Sequence, residues 1–566
     1  MKTKSLYLTV ALGLMLGFAS CDMDYYPSDE QSSDIIMKEA SSTIMDGCYA
    51  LMKDEIDYLG WPSGNSYCRH YFQMAEFPAD NTCVSGRSTD PLFQAATYSM
   101  TDNLQNVGTL WMVGYKIINM ANTLIEGLDE SKPEQQQTLG EAYFVRALIH
   151  LNMVTLFAKP YSYGTENLGV PLMTSSTATV VKRHTVGEVY DQIVEDLKKA
   201  ASLMTQREGA NANGGYPCKA TAQGLLSRVY LYRGEYQNCI DIVDEMLDGD
   251  TPDTKLDPNL ATYFANAKSS KETLFCIAHE VTDDRGKSSI GSMYNADGNG
   301  WGEIYPSFPL LNLYERYPMD VRYAELIRPQ YKGNGPSAKL NVYIPFGDPD
   351  SKEMRSLRNF PVTYDGATHL YSFTMDGVKR TIDTIPGSEY TEYRVIDGKD
   401  TLMVRIMPNN INARNSYPKY FITKFGYQDG SATLSSPVVL RWAEVILNRA
   451  EAYARLGGYE KEALDDVNAI RHRAGIPDEG LFEKTTKMHG YTNVIDVVMD
   501  ERRLELAFEG HRMFDVYRNK QNMDRRFPGF QEWKVVKADF TEEPHILYPI
   551  PNAEWTVSHI QQNDGY

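Results

Sequence analysis

The chain has 566 residues, of which 42% are hydrophobic and 23% charged, and its mean hydropathy is −0.42. This composition excludes a disordered chain and a fibrous repeat, because it supplies enough apolar residues for a packed core. The formal net charge of −19 argues against nucleic acid as a partner, since an acidic surface repels phosphate.

The N-terminus has the features of an export signal. Residues 1–20 combine two lysines, an apolar stretch and small residues before a cleavage point, as is typical of a secretory signal peptide. The motif GFASC, which ends at Cys21, is similar to a bacterial lipobox, and this resemblance implies that the Cys21 sulfur carries a lipid. The alternative is a secreted protein in which Cys21 is a plain thiol. The polar residues 21–33 are predicted to form a flexible tether.

Helical periodicity dominates the rest of the chain and predicts a mainly α protein, because apolar residues recur at three- and four-residue spacing. The predicted helices are 35–52, 104–128, 133–157, 186–204, 220–233, 236–247, 437–456, 460–474 and 494–508.

Two of the predicted helix pairs share a sequence pattern. The segment SRVYLYRGEYQNCIDIVDEML from Ser227 aligns without a gap to AEAYARLGGYEKEALDDVNAI from Ala450. Each copy has a glycine after its first helix and a tyrosine at the corner, which resembles the tetratricopeptide hairpin. Because the copies lie in different halves of the chain, the sequence predicts a dispersed array of helix pairs, an α/α superhelical scaffold.

Three stretches between the helices have a different character. Residues 57–100 and 277–309 are rich in Gly, Pro, Asn and aromatic residues, and residues 332–424 contain alternating patches that predict short strands or β-hairpins. Loops of such length without order are uncommon in a folded domain, so we expect ordered insertions that carry function.

Motifs along most of the chain resemble those of one family. In chain order they are EAYFVRALIHLNMVTLFAKPY from Glu141, GVPL from Gly169, TVGEVYDQIVEDLKKA from Thr185, VVLRWAEVILNRAEAYARLG from Val438, ALDDVNAIRHRAG from Ala463, MDERRLELAFEGHRMFDVYR from Met499 and LYPIPNAEW from Leu547. Together they resemble the SusD/RagB family of outer-membrane lipoproteins, the nutrient-capture subunits of Bacteroidota. The resemblance divides the helical part into an N-terminal region, 34–275, and a C-terminal region, 276–566.

The resemblance implies a binding protein without catalysis or cofactor. It implies a lipid-anchored protein, exposed at the outer membrane, that captures an oligosaccharide and delivers it to a SusC-like TonB-dependent transporter. Peptide capture, as in some branches of the family, stays open as an alternative. Two alternatives of other classes are a glycoside hydrolase and a structural lipoprotein that binds no ligand.

Sugar capture requires flat aromatic faces ringed by polar side chains, and two of the insertions supply both. The candidates in the first are Tyr58, Trp61, Asn65, Tyr67, Arg69, Tyr71 and Asp80; those in the second are Tyr294, Asn295, Asn299, Trp301 and Tyr305. Trp61 and Trp301 are the main candidates because they lie among turn-forming residues, whereas Trp111 and Trp442 lie in predicted helices and are expected in the core. The alternative is that the loop aromatics cover the scaffold's own apolar surface or contact the transporter.

The acidic cluster of the C-terminal third is predicted to be structural. Glu501 and Glu505 lie at the core-facing side of a predicted helix, where carboxylates need partners, and Arg502, Arg503 and Arg512 are the expected ones. The sequence contains no motif of a hydrolase, a P-loop or a dinucleotide-binding enzyme, and carboxylate pairs are uninformative among 75 acidic residues.

Neither a metal site nor a disulfide framework is predicted. Residues 295–300 begin with the spacing of a calcium loop, but Pro306 stands where the closing glutamate belongs, which favours a turn. The cysteines after Cys21 match no zinc pattern, and we expect small buried side chains. Disulfides among Cys48, Cys68 and Cys83 remain an alternative, because an exported protein tolerates them.

Overall fold

The structure is a computed structural model, and it describes residues 30–58, 60, 66–90, 93–177, 181–206, 213–295, 298–347, 356–384, 393–398 and 400–566. For residues 30–39 and 400 it describes the backbone alone. The predicted signal peptide, Cys21 and residues 22–29 of the tether lie outside this part. Residues 30–33 belong to the first helix, so the tether prediction is wrong at its C-terminal end.

Helices provide most of the regular secondary structure. They are α1 (Glu30–Lys53), α2 (Tyr67–Glu76), α3 (Phe93–Thr97), α4 (Gln105–Gly127), α5 (Pro133–Phe157), α6 (Val186–Leu203), α7 (Lys219–Arg233), α8 (Tyr236–Leu247), α9 (Pro252–Lys255), α10 (Leu260–Tyr263), α11 (Gly291–Tyr294), α12 (Phe308–Tyr314), α13 (Val321–Ala324), α14 (Trp442–Leu456), α15 (Glu460–Arg473), α16 (Val494–Glu505), α17 (Arg512–Arg518) and α18 (Asn552–Ser558). No helix in the described ranges is both long enough and apolar enough to cross a membrane.

The strands are short and antiparallel. They are β1 (Thr82–Val84), β2 (Leu168–Pro171), β3 (Arg183–Thr185), β4 (Thr273–Cys276), β5 (Ile304–Pro306), β6 (Ile327–Pro329), β7 (Leu340–Phe346), β8 (Ser356–Pro361), β9 (Thr363–Asp365), β10 (Leu370–Met375), β11 (Val378–Thr384), β12 (Tyr393–Asp397), β13 (Asp400–Pro408), β14 (Ala413–Arg414), β15 (Tyr417–Pro418), β16 (Tyr420–Ile422), β17 (Val438–Arg441), β18 (Met523–Asp524) and β19 (Val535–Val536). Seven of them form one sheet in the order β8-β7-β13-β12-β11-β10-β9 with an apolar core of its own. This sheet confirms the predicted β-containing insertion.

Local chemistry explains where the long helices begin. Pro133 occupies the first turn of α5, where its missing N–H has no intrahelical partner to lose. At the start of α6, Thr185 Oγ1 accepts from Glu188 N at 3.1 Å, and the Glu188 carboxylate accepts from Thr185 N at 2.7 Å. This capping box satisfies two backbone donors at once.

Two predictions of secondary structure are wrong at particular segments. Residues 437–456 are not one helix: Val438–Arg441 form β17, which pairs with β4, and α14 begins at Trp442. The β-branched valines at the start of this segment favour the strand. In the first insertion, Tyr67–Glu76 form a buried helix rather than a loop.

The two similar helix pairs are neighbours in space. α7 is followed by Gly234, whose φ of 76° is left-handed, and α14 is followed by Gly457, whose φ of 74° is also positive. The long helices α1, α4, α5, α6, α7 and α8 pack in succession, and α14 continues the array by packing on α7 and α8. A buried ion pair between Arg228 Nε of α7 and Glu444 Oε1 of α14, at 2.6 Å, joins the two helix pairs. The predicted scaffold of dispersed tetratricopeptide-like pairs is therefore confirmed.

The described core contains the side chains expected there. Trp111 and Trp442 are buried, and the Trp111 ring meets the Phe157 ring edge to face with centroids 5.0 Å apart. The described cysteines are all buried and free, which confirms the prediction of small buried side chains over disulfides.

The acidic cluster forms a buried ion-pair network, but with other partners than the sequence suggested. Glu501 pairs with Arg322 at 2.6 Å and with Arg471 at 2.9 Å. Glu505 pairs with Arg441 at 2.6 Å, and Arg441 also reaches Glu509 at 2.8 Å.

The predicted partners bind elsewhere. Arg502 pairs with Asp515, whereas Arg503 and Arg512 both bind Asp80. Arg502 and Arg503 directly follow Glu501 on α16, and consecutive helical residues point to different sides and do not face each other. The network is confirmed, and its assignment to Arg502, Arg503 and Arg512 is corrected.

Candidate functional site

The two insertions with candidate ligand residues are joined by a short antiparallel ladder. β1 pairs with β5 in a register that places Cys83 opposite Tyr305. Backbone hydrogen bonds extend the ladder on both sides, from Ser85 N to Glu303 O at 2.9 Å and from Ser307 N to Asn81 O at 2.8 Å. Segments more than 200 residues apart in sequence therefore lie side by side.

Trp301 lies three residues before β5, and half of its surface, 49%, is exposed. Its indole Nε1 donates to the Lys287 carbonyl at 2.8 Å, which satisfies the ring's polar atom and fixes its orientation. The Lys287 ammonium lies over the ring, 5.0 Å from the centroid. This cation–π contact adds a positive group beside an exposed aromatic face.

The backbone around Trp301 approaches the neighbouring segment too closely for a side chain. A Cβ on Gly300 would lie 2.4 Å from the Ser292 carbonyl oxygen. The Ser292 carbonyl accepts from Gly302 N at 3.0 Å, and Met293 O accepts from Glu303 N at 2.9 Å. Glycine is therefore required here, and α11 positions the indole.

A segment of the third insertion, residues 332–424, completes the surface, although the sequence indicated no candidate ligand residue in it. Arg414 of β14 donates through Nη1 to the Trp301 carbonyl and through Nη2 to Glu303 Oε1 at 3.0 Å. Asn415 Nδ2 donates to Ser85 O at 3.0 Å, which ties the same hairpin to the first insertion. The run NINARNSYP, residues 410–418, is a polar turn, and only its composition could have indicated from the sequence that it contributes to the site. We name Lys287, Asn299, Trp301, Glu303 and Arg414 together the Trp301 surface.

Asn299 is the polar candidate that stays accessible beside the indole, since its side chain is exposed. Tyr58 lies apart from these residues and is half-buried. Its ring packs on Gly108 of α4, where a Cβ would come within 2.3 Å of the ring. Trp61 and Asn65, the other candidates of that segment, lie outside the described residues.

Three tyrosines among the candidates lie in the core, each with 1% of its surface exposed: Tyr67, Tyr294 and Tyr305. Tyr67 Oη accepts from Asn152 Nδ2 at 3.0 Å, and the Tyr294 ring stacks on Phe425 with centroids 5.6 Å apart. Their faces are covered by other elements of the chain, contrary to the expectation of open aromatic faces. Tyr71 is half-buried, with its ring against the edge of Phe72 at 5.8 Å.

The other polar candidates are occupied by structural contacts. Buried Arg69 pairs with Asp90 at 2.9 Å, and buried Asn295 donates to Ala432 O at 3.2 Å. Asp80 binds Arg512 at 2.7 Å. Burial alone would raise the pKa of Asp80, but the two arginines it binds outweigh burial and hold that pKa well below its usual value.

Glu76, at the end of α2, anchors the first insertion to the C-terminal region. Its carboxylate accepts from Phe508 N at 3.2 Å and from Gly510 N at 3.0 Å. Burial raises the pKa of this group to about 7, against the lowering effect of the backbone donors. The C-terminal end of the buried helix in the first insertion is therefore held against the C-terminal region.

The part of the chain that the structure describes contains no cluster of three or more histidine, cysteine or acidic side chains arranged for a metal ion. The calcium-like spacing includes Asp297, which lies outside that part. Asn295, at its start, uses its amide nitrogen to contact a backbone carbonyl.

Comparisons with known proteins all find similarity to proteins of the SusD type. A profile described as "SusD family" matches residues 265–566, and one described as "Starch-binding associating with outer membrane" matches residues 30–231. The chain is 23% identical over 499 residues to SusD-like protein P2 of Formosa agariphila, covering 83% of this chain and 82% of that protein.

Solved structures share the fold. A SusD superfamily protein from Bacteroides vulgatus superposes with a TM-score of 0.66 at 22% identity, covering 94% of this chain and 99% of that one. A laminarin binding SusD-like protein superposes with a TM-score of 0.58 at 20% identity, covering 93% and 99%. At these identities the similarity establishes the fold and leaves the ligand to be argued from the site.

Proposed function

The chain belongs to the SusD family, and from this premise we propose that it captures an oligosaccharide at the Trp301 surface without changing it chemically. The observation that carries the proposal is the half-exposed indole, fixed by its hydrogen bond to Lys287. A flat ring of this kind covers the apolar face of a pyranose, and the neighbouring polar groups satisfy its hydroxyls.

Two comparisons support a glycan over other ligands. A laminarin binding SusD-like protein shares the fold along nearly the whole chain, and the profile over residues 30–231 carries the description of starch binding. The Trp301 surface adds chemistry of the same kind, because an aromatic platform with an amide and charged groups suits a hydroxyl-rich ligand.

The carboxylates of the acidic cluster form buried ion pairs. Glu501, Glu505 and Glu509 each bind buried cationic side chains, and the Trp301 surface contributes one carboxylate, Glu303, which pairs with Arg414. Glycoside hydrolysis needs two carboxyl groups across the scissile bond. Binding alone is the mechanism that this arrangement supports.

The decisive measurement is isothermal titration against a panel of oligosaccharides. Trp301→Ala is expected to weaken binding about tenfold or more, a loss of about 1.4 kcal/mol, while leaving thermal stability unchanged. Trp555→Ala is the matched control, because Trp555 is 40% exposed and its Nε1 also donates, to Asp102 at 3.1 Å.

A ligand that binds wild type and Trp301→Ala equally well would refute the assignment of the site. Binding of peptides and of no sugar in the panel would favour the peptide alternative instead. Release of shorter sugars from a polysaccharide by the purified protein would refute the absence of catalysis.

We further propose that the protein is anchored by lipid at Cys21 and passes its ligand to a SusC-like TonB-dependent transporter in the outer membrane. Support comes from the lipobox-like motif and from the description of outer-membrane association in the N-terminal profile. Acyl chains hold a protein on a bilayer through about 0.8 kcal/mol per buried methylene.

Cys21→Ala is therefore expected to abolish incorporation of labelled palmitate and to shift the protein from the membrane to the soluble fraction. Cys239→Ala, which removes a buried thiol of the scaffold, is the control and should leave labelling intact. Palmitate labelling of Cys21→Ala at the wild-type level would contradict the proposal.

A further inference from the structure

A second aromatic cleft lies on the scaffold, formed by elements that do not belong to the Trp301 surface. It has a volume of about 290 Å³ and lies between α1, the turn at residues 213–216 and the residues that follow β4. We name it the Tyr216 cleft. Its size is near the lower end of the range of small-ligand sites.

Two tyrosines give the cleft an aromatic corner. Tyr216 at the rim is 49% exposed, and its ring meets Tyr49 of α1 edge to face, with centroids 5.6 Å apart. The Tyr49 hydroxyl donates to Glu141 Oε2 at 2.7 Å, which fixes the inner ring. Phe275 of β4 lies behind Tyr49 at 6.3 Å. The corner is therefore rigid on its inner side and open at Tyr216.

The turn that carries Tyr216 is held against the scaffold by close backbone contacts. Gly214 N donates to Lys268 O at 2.7 Å, and Gly214 O accepts from Cys276 N at 2.9 Å. A Cβ on Gly215 would lie 2.6 Å from the Ala278 Cβ. Only glycine allows this approach, so the chain is specialised to place Tyr216 at the rim.

Polar side chains line the remainder of the cleft: Asp46, Lys53, Asn213 and Glu280. The Lys53 ammonium is already engaged, by Asp283 at 2.6 Å and by the Ala278 carbonyl at 3.1 Å. Glu280 is engaged as well, because its Oε1 accepts from Lys268 Nζ at 2.6 Å. Among the lining side chains, the two acids Asp46 and Glu280 outnumber the one lysine. The lining therefore has no excess of positive charge to attract an anionic ligand, whereas a neutral ligand rich in hydroxyls finds both donors and acceptors.

One segment of the chain contributes to both the Tyr216 cleft and the Trp301 surface. Glu280 lines the cleft, and Lys287, seven residues later, holds the Trp301 indole. An extended chain covers at most about 3.6 Å per residue, so these two positions lie within about 25 Å of each other. Both aromatic surfaces can therefore act on one long ligand or on neighbouring ones.

We propose that the Tyr216 cleft is a second saccharide-binding subsite, which takes a neutral sugar against the Tyr216 ring. The inference rests on the proposed glycan-binding function and adds a subsite to it. Two observations support this proposal. The exposed Tyr216 ring has a fixed aromatic partner in Tyr49, and the side chains that line the cavity form hydrogen bonds without an excess of positive charge.

The test separates the two surfaces by mutation. Binding of laminarihexaose, cellohexaose, maltohexaose and xylohexaose is measured by isothermal titration and by ligand-observed saturation-transfer NMR, with wild type and with Trp301→Ala. The expected result is residual binding to Trp301→Ala that falls about tenfold when Tyr216→Ala is added. Tyr216→Phe should retain this binding, because it keeps the ring.

Tyr459→Ala is the matched control for the loss of a surface tyrosine. Tyr459 is 44% exposed and its ring also neighbours another tyrosine, Tyr453, at 5.5 Å, but it lies at the turn between α14 and α15. On the Trp301→Ala background this control should leave the residual binding unchanged.

Two results would refute the role of the Tyr216 cleft as a subsite and leave the proposed function intact. One is complete loss of binding in Trp301→Ala; the other is residual binding that Tyr216→Ala does not change. Absence of binding to wild type for every sugar tested would instead refute the proposed function for neutral glycans, and the cleft with it.

Discussion

Replacing Glu505 with alanine is expected to lower the free energy of unfolding by about 3–5 kcal/mol. The Glu505 side chain is buried and accepts from Arg441 at 2.6 Å and from Arg322 at 3.1 Å, and Arg473 is its third partner. Removing the carboxylate leaves guanidinium groups buried with too few acceptors. This loss exceeds that of a surface ion pair because water cannot replace the missing partner.

Urea unfolding of wild type, Glu505→Ala and Asp524→Ala measures the effect. Asp524 pairs with Arg526 at 2.8 Å, but both side chains are more than half exposed, so its loss should cost less than about 1 kcal/mol. Equal stability of Glu505→Ala and wild type would contradict the buried network. Ligand affinity of the folded variant should stay at the wild-type level, because Glu505 does not belong to the Trp301 surface.

The same network gives the stability a defined pH dependence. Burial would raise the pKa of Glu505, but the surrounding cationic groups outweigh it and hold that pKa well below the ordinary 4.5. A depressed acid pKa stabilises the folded state above the unfolded pKa, and this stabilisation is lost as the pH falls through the folded pKa. The stability difference between wild type and Glu505→Ala should therefore shrink as the pH falls below about 4.5.

Gly291→Ala is expected to reduce both stability and ligand affinity. A Cβ at this position would lie 2.0 Å from the Phe425 carbonyl oxygen, which is backbone and cannot rotate away. One of the two segments must shift, and overpacking of this severity costs about 3 kcal/mol. α11 begins at Gly291, and its Ser292 O and Met293 O accept from Gly302 N and Glu303 N, directly after Trp301. The shift should therefore also displace the indole.

Unfolding and sugar titration of the same variant test both parts of this prediction. Gly366→Ala is the control, because a Cβ there would meet no atom within 4 Å. It should match wild type in both measurements. Wild-type stability of Gly291→Ala would refute the close approach, and lost stability with unchanged affinity would refute the coupling between α11 and Trp301.

The long helices were predictable because helical spacing is a local property of the chain. The segments 133–157 and 236–247 end where they were predicted to end, since each combines a regular apolar pattern with a clear boundary residue. The prediction failed at Tyr67–Glu76, a short helix whose polar residues, among them Arg69, His70 and Glu76, are buried by other segments of the chain. It also failed at Val438–Arg441, where pairing with β4 decides the conformation.

The candidate site was predictable only in part. Turn-forming residues around Trp301 indicated an accessible indole, and the structure places it so. Nothing in the sequence linked Arg414 to that tryptophan, because the contact joins segments that are far apart in the chain. The acidic residues of the network were likewise identifiable, whereas their partners depended on how α13, α15 and β17 pack around α16.

The helical scaffold, the family and the acidic network could be predicted from the sequence, because periodicity, motif order and residue chemistry are properties of consecutive residues. The tertiary structure decided which aromatic rings can meet a ligand. Trp301 is open, whereas Tyr67, Tyr294 and Tyr305 are covered by segments distant in the chain. Burial depends on what packs over a ring, and that is settled only when separate helices and strands come together.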